Sequence, residues 1–330
     1  TQIAGLVAGD IGEMTTTQVQ ALVTAQVASL TTEAVSALTT TQVGAMRTTQ
    51  IQGLTTTQIG ALDATDIGEF TTTQLQSLTT AQVAGLTSTN AQSLSTQQLA
   101  ALTTSQIAAL SVTNLSALDA TQVGALTTTQ TKALTATQLT GLDAADVAEF
   151  STTHISNFAN TQLLALTSTN MAALAETQIA AISAPGVKAL TATNFAAFAE
   201  TQLGALTTTQ VSSLTNTQLQ ALNSTKFASF TATQLGALTT SQVSGISTTN
   251  LSALDATQFD AFRTTQLQTL STTQLNGLST TDISELTTTQ IGLLTTAQVR
   301  GLSTTNIGAL SDTQVLALTT TQLAAFSNTN

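Results

Sequence analysis

Apolar residues recur at Ile3, Ile11, Val19, Val27, Val35 and Val43, and the series continues every eight residues to Leu323. Only Ala91 and Thr131 interrupt it. A second apolar series runs from Leu6, Met14, Leu22 and Leu30 to Phe326 with no interruption. The frame holds through 41 octads without an insertion, as stacking of units with fixed geometry requires.

This period excludes the simplest regular structures. Eight residues of continuous α-helix advance roughly 800°, so an apolar stripe would drift by about 80° per octad and circle the helix. A flat strand fails as well, because internal spacings of three and five put the two series on opposite faces. The helix must therefore break once per octad, and the polar residues say where. In Leu38-Thr39-Thr40-Thr41-Gln42-Val43, Thr39 and Gln42 have the spacing of a capping box, and Leu38 and Val43 that of a hydrophobic staple.

The same register holds along the chain. The Thr39 position is Ser, Thr, Asp or Asn in 34 of 41 octads, the exceptions being Val7, Val23, Arg47, Ala159, Ala175, Ala199 and Arg263. The Gln42 position is Gln, Asn or Asp except at Ala34, His154, Gly186 and Lys226. Pro185 falls in a first helical turn, where its missing N–H costs no helical bond. The expected fold is all-α: a solenoid of very short capped helices, one per octad, with a corner at the Leu position. A β-solenoid, favoured by the Thr, Val and Ile content, is the alternative. The Ala45 position is Ala, Gly or Ser in 34 of 41 octads, which predicts close backbone approach there.

One octad buries too little to order itself, so stability is collective and exposed ends are a liability. Residues 1–330 read as a single continuous array. A weaker 80-residue period overlies the octad, with blocks at about 63–142, 143–222 and 223–302: "LDATDIGEF" at 62–70 resembles "LDAADVAEF" at 142–150. The opening "TQIAGL", without an initiator Met or a signal peptide, is expected of a processed form or a window cut from a longer polypeptide.

Composition narrows the partners. Six Lys and Arg face seventeen Asp and Glu, for a net charge of −11. There is no basic stripe for phosphates, so neither nucleic acid nor an anionic membrane surface is an expected partner. No apolar run approaches the roughly 20 residues that span a bilayer, so no membrane insertion is expected. The chain has no Cys, Trp or Tyr and one His, which rules out disulfides and thiolate metal sites.

Four octads carry Asp in place of the amide and Glu three residues on: Asp10/Glu13, Asp66/Glu69, Asp146/Glu149 and Asp282/Glu285. Asp63 and Asp143 add acidic N-caps to two of them. These read first as solvated helix-start charges. Read for chemistry, Asp63, Asp66 and Glu69, and Asp143, Asp146 and Glu149, are weak calcium candidates, although the oxygens are sparser than in dedicated calcium loops. No other cofactor is expected. His154 sits in a capping slot with no second His or Cys to share a metal, and is expected as a surface substitution. A nucleophile needs an adjacent base and an oxyanion site. No such group can be assembled, so the chain is not expected to be an enzyme, and no catalytic residue is assigned.

Positions equivalent to Thr40 and Thr41 should face solvent and form rows. They serve as a neutral hydrated coat or, in a sharper reading, a surface recognising ice or a polysaccharide, or a site of O-glycosylation. The phrase L-T-T-x-Q-[ILV]-x-A resembles octapeptide tracts in very large, acidic, Cys-free secreted or surface proteins of bacteria, often labelled adhesin-like. The resemblance spans the chain and implies an extracellular, cell-surface structural role, with copies of itself or further repeats as partners and possible polysaccharide or cell-surface contact. "LTTTQVGAM" at 38–46 is also similar to the first-helix phrase of TAL-effector repeats, but those are much longer and basic, so DNA binding is not carried over. The expectation is a structural protein of an extracellular filament, sheath or adhesin stalk, or alternatively a surface-binding module using the Thr rows.

Overall fold

The computed structural model describes residues 2–326. Among them are forty α-helices, preceded by a 3-10 turn at Ile3–Gly5, with one helix per octad and no strand. The expected all-α solenoid of short helices therefore holds, and the β-solenoid alternative does not.

The helix Thr40–Ala45 shows how the octad starts and stops. Thr39 is the N-cap in extended backbone (φ −75°, ψ 157°), and its hydroxyl oxygen accepts from the Gln42 N–H. Met46 ends the helix, again extended (φ −63°, ψ 137°), and its N–H donates to the Val43 carbonyl. Two successive extended residues, the apolar C-cap and the polar N-cap, make the corner. Among the described residues no backbone enters the left-handed region. That explains why the corner is a Leu rather than the Gly that ends many helices.

The chain forms two compact units, Thr1–Ala173 and Leu174–Asn330, and the same stacking operates within each. In the first unit Thr16–Ala21 packs on Thr40–Ala45, which packs on Ala64–Glu69. In the second, Ala184–Ala189 packs on Thr208–Ser213, which packs on Ala232–Ala237. Each step is three octads, whereas the Gln42 amide reaches Ile11, four octads back. A turn of the superhelix in each unit thus takes between three and four octads.

Both apolar series point inward. Val43 and Met46 are buried, as are Ile107 and Leu110 in the first unit and Val243 and Ile246 in the second. Phe pairs fill both slots of three octads in the second unit: Phe195/Phe198, Phe227/Phe230 and Phe259/Phe262, with ring centroids 5.4, 5.6 and 5.3 Å apart in tilted or edge-on geometry. The two interruptions of the first series remain inside. Ala91 is fully buried, and so is Thr131, whose hydroxyl donates to the Thr128 carbonyl at 3.1 Å.

Candidate functional site: the amide ladder

Every capping box needs an acceptor at its third helical position, and Gln42 fills that role: its Oε1 accepts from the Thr39 N–H at 2.7 Å. The other end of the same amide does something local spacing does not reveal. Nε2 donates to the Ile11 carbonyl at 2.8 Å and to the Met14 carbonyl at 2.7 Å, on the preceding turn. Gln42 is only 3% exposed. A buried amide is tolerated when its donors and acceptor are paired, and these are.

The contact repeats in both units. Gln82 donates to Ile51 and Leu54 (2.8 and 2.7 Å), and Gln130 to Leu99 and Leu102 (2.8 and 2.7 Å). In the second unit Gln242 donates to Val211 and Leu214 (2.9 and 2.8 Å), and Gln298 to Leu267 and Leu270 (both 2.8 Å). The acceptors lie 31 and 28 residues back in each case. The second is the carbonyl of the corner residue, which helical bonding leaves open. The result is a ladder of side-chain amides that ties turn to turn along each unit.

Shorter or different side chains occupy the slot at lower valence. Asn90 caps Thr87 but reaches only the Leu62 carbonyl, at 2.7 Å. Lys226 donates Nζ to the Ala196 carbonyl at 2.5 Å. His154 corrects the expectation of a surface residue. It is 4% exposed, its Nδ1 faces the Ser151 N–H at 3.4 Å, and its Nε2 lies 2.8 Å from the Leu126 carbonyl. Because a carbonyl only accepts, Nε2 carries the hydrogen, and the ring acts as a rigid substitute for the amide. The slot points into the seam between turns, which buries His154 and leaves Lys226 half-buried.

Two further rows complete the seam. The small residue that closes each helix faces the first helical residue 29 positions earlier: a Cβ on Gly85 would stand 3.2 Å from the Thr56 Cβ, and one on Gly277 2.6 Å from the Thr248 Cβ. The expected close approach is thereby located. The residue after the first apolar position can donate to a helix-ending carbonyl 25 residues ahead, as Gln20 does to Ala45 at 2.8 Å and Asn276 to Gly301 at 2.8 Å.

The acidic octads are more enclosed than freely solvated charges would be. Asp63 is exposed, and its Oδ1 accepts from the N–H groups of Thr65 and Asp66 at 2.7 and 2.9 Å. Asp66 is buried, a correction to the expected solvation; its Oδ2 accepts from the Asp63 N–H and the Ser36 hydroxyl, both at 2.9 Å. Asp143 and Asp146 repeat these hydrogen bonds, with Asp146 half-buried and the Ser116 hydroxyl 2.6 Å from its Oδ2. Glu69 Oε1 accepts from the Thr40 hydroxyl at 2.7 Å. The residue at the corresponding position below Glu149 is Ala120, which offers no hydroxyl. Oε2 of both Glu69 and Glu149 is buried without a hydrogen-bond partner. Burial, then the charges of Asp146, Asp119 and Asp143, push the Glu149 carboxyl above its ordinary value of 4.5. Among the described residues, no three His, Cys, Asp or Glu side chains gather in a group that could hold a metal ion. Thr40 and Thr41, like Thr56 and Thr57, are exposed, as the octad register requires.

No helix among the described residues is long and apolar enough to cross a membrane. No curated protein matches the chain in sequence. A family model described as the ALTTAQ repeat matches residues 3–40, 35–64, 59–96 and 294–328, together less than half of the chain. Its phrase stands in the sequence as "LTTAQ" at 78–82 and 294–298, each Gln being a member of the ladder. The chain is a repeat protein built of capped helical octads, and four of its stretches match the ALTTAQ repeat.

Proposed function

We propose that the repeat-based structural role of this chain is that of an extracellular filament, sheath or adhesin stalk. The observation that carries the reading is the amide ladder: each turn is hydrogen-bonded to the one before it through Gln side chains such as Gln82 and Gln242. Load applied along the superhelix is shared by these bonds and by the apolar core, with no single contact bearing it. Further repeats, or copies of the chain, are the partners this chemistry fits, because an added turn needs only the same amides and carbonyls. The scarcity of Lys and Arg, six in 330 residues, and the absence of Cys support life outside the cell, where tryptic cleavage and stray crosslinking are hazards. Electron microscopy of the native material tests the reading. Continuous filaments or stalks on the cell surface are expected, and an intracellular, discrete particle would overturn it.

A second reading rests on the exposed Thr rows, exemplified by Thr40/Thr41 and Thr56/Thr57. Side chains repeated at a fixed octad interval suit a periodic ligand such as ice or a polysaccharide. Ice-recrystallisation and glycan pull-down assays test it, and replacing the Thr pairs of successive octads by Ser-Asn should abolish any activity found.

A further inference from the structure

An Asp in the amide slot cannot donate, so it cannot continue the ladder. For Asp66 the two carbonyls that a Gln would reach belong to Val35 and Leu38, and for Asp146 to Leu115 and Leu118, by the 31- and 28-residue spacing of the other rungs. A carboxylate placed against two carbonyl oxygens is an arrangement of acceptors only, and an unpaired buried acceptor is costly. In each such octad that has a residue 30 positions earlier, that residue is Ser and it donates to the carboxylate. The Ser36 hydroxyl lies 2.9 Å from Asp66 Oδ2, the Ser116 hydroxyl 2.6 Å from Asp146 Oδ2, and Ser252 bonds Asp282 Oδ2 likewise. The coincidence is not a matter of abundant serine. Ser occupies that position of the octad in only 7 of 41 cases, so three matches in three are expected by chance in under about one trial in a hundred.

We infer that the pairs Ser36–Asp66, Ser116–Asp146 and Ser252–Asp282 are register keys, which fix the turn of the superhelix against windings one octad longer or shorter. Uniform octads create the need for such a device. The apolar core, the caps and the Gln rungs look nearly the same after an eight-residue slip, so they discriminate poorly between windings. The keyed carboxylates do discriminate. A winding one octad shorter would set Asp66 against Gly44 and Asp146 against Gly124, and one octad longer would set them against Ala28 and Ala108, none of which has a hydroxyl. For Asp282 the shorter winding brings Asp260, a like charge, and the longer one Ser244, so this key excludes slippage in one direction only. The device works as specificity through mismatch: its value lies in what the wrong register would leave unpaired.

The test is a double-mutant cycle on the full chain, read by hydrogen exchange of the amides of residues 63–69. Ser36→Ala removes the donor across the seam, leaves Asp66 Oδ2 with only the Asp63 N–H of its own cap, and should raise exchange about tenfold or more. Asp66→Gln alone restores a rung to Val35 and Leu38 and should not raise it, and S36A/D66Q should match D66Q, because the serine has nothing left to serve. A displaced hydroxyl supplies the register readout: S36G/G44S keeps the composition, moves the donor one octad, and should behave like S36G alone. Additive effects of S36A and D66Q would overturn the inference, as would full rescue by the serine at 44.

Discussion

The amide ladder makes a sharp demand at Gln130, in the first unit. Its Oε1 accepts from the Thr127 N–H at 2.8 Å, and Nε2 donates to Leu99 and Leu102 at 2.8 and 2.7 Å, with the side chain 3% exposed. The Leu99 carbonyl also receives the Leu102 N–H, so it keeps a partner if the amide is removed. The Thr127 N–H and the Leu102 carbonyl would be left with none. Two orphaned buried backbone groups at about 1–3 kcal/mol each put the cost of Gln130→Ala at about 2–6 kcal/mol, before any water enters the gap. Gln130→Asn, which retains the cap and one rung as Asn90 does, should cost only about 1 kcal/mol. Gln130→Glu keeps the cap acceptor but turns a donor into a charge facing two carbonyls, with Ala100 rather than Ser at the keying position, so it should be the most damaging of the three at neutral pH. Long repeat arrays do not always unfold in one step. The assay is therefore hydrogen exchange by mass spectrometry over residues 99–102 and 127–134, alongside urea denaturation. The reasoning is refuted if Ala and Asn variants are equally stable, or if Glu is as stable as Gln.

Other outcomes follow from the same geometry. His154→Ala should lower the melting temperature by several degrees in thermal unfolding, because it removes both a cap acceptor and a rung, whereas His154→Gln should preserve or raise it. Glu149 holds its proton more tightly folded than unfolded, so its contribution is fully present below about pH 4.5 and is lost as pH rises through the folded-state value. Urea midpoints measured from pH 4 to 7 should accordingly fall more steeply for the native chain than for Glu149→Gln, and an identical slope would remove this carboxyl from the account. Gly277→Val should cost about 1–3 kcal/mol in chemical denaturation, since its Cβ would meet that of Thr248 at 2.6 Å, and Thr248→Gly should recover most of the loss.

Much of this fold can be read from the sequence, and the division between what can and cannot is physical. Thr39, Gln42, Leu38 and Val43 meet within one octad, so capping and stapling are local and their spacing is visible. The other end of Gln42 meets Ile11 and Met14 across the seam, and in a chain of near-identical octads no spacing of 24, 28 or 32 residues stands out. The sequence alone places His154 on the surface for the same reason: a first-turn slot is ordinarily exposed, and only the winding buries it. One sequence feature does point to the seam. A capping box accepts Glu as readily as Gln, yet Glu never occupies the slot in this chain, while Glu13, Glu69, Glu149 and Glu285 all appear at the helix-closing position instead. A slot that is mostly Gln, never Glu, and Asp in only four octads is one that favours a donor. The acidic octads resisted reading because their partners, Ser36 and Ser116, lie 30 residues away.

The winding itself is the central claim, and the lack of any native Cys allows it to be measured directly. A Cβ at Gly85 would lie 3.2 Å from that of Thr56, close to the separation a disulfide requires. Under mild oxidation Thr56→Cys/Gly85→Cys should close an intramolecular disulfide nearly completely, whereas Thr56→Cys paired with Ser77→Cys or Ser93→Cys, one octad to either side, should remain reduced. Equal crosslinking of all three pairs, or closure of a shifted pair alone, would contradict a superhelix in which each octad is held against those three and four places away.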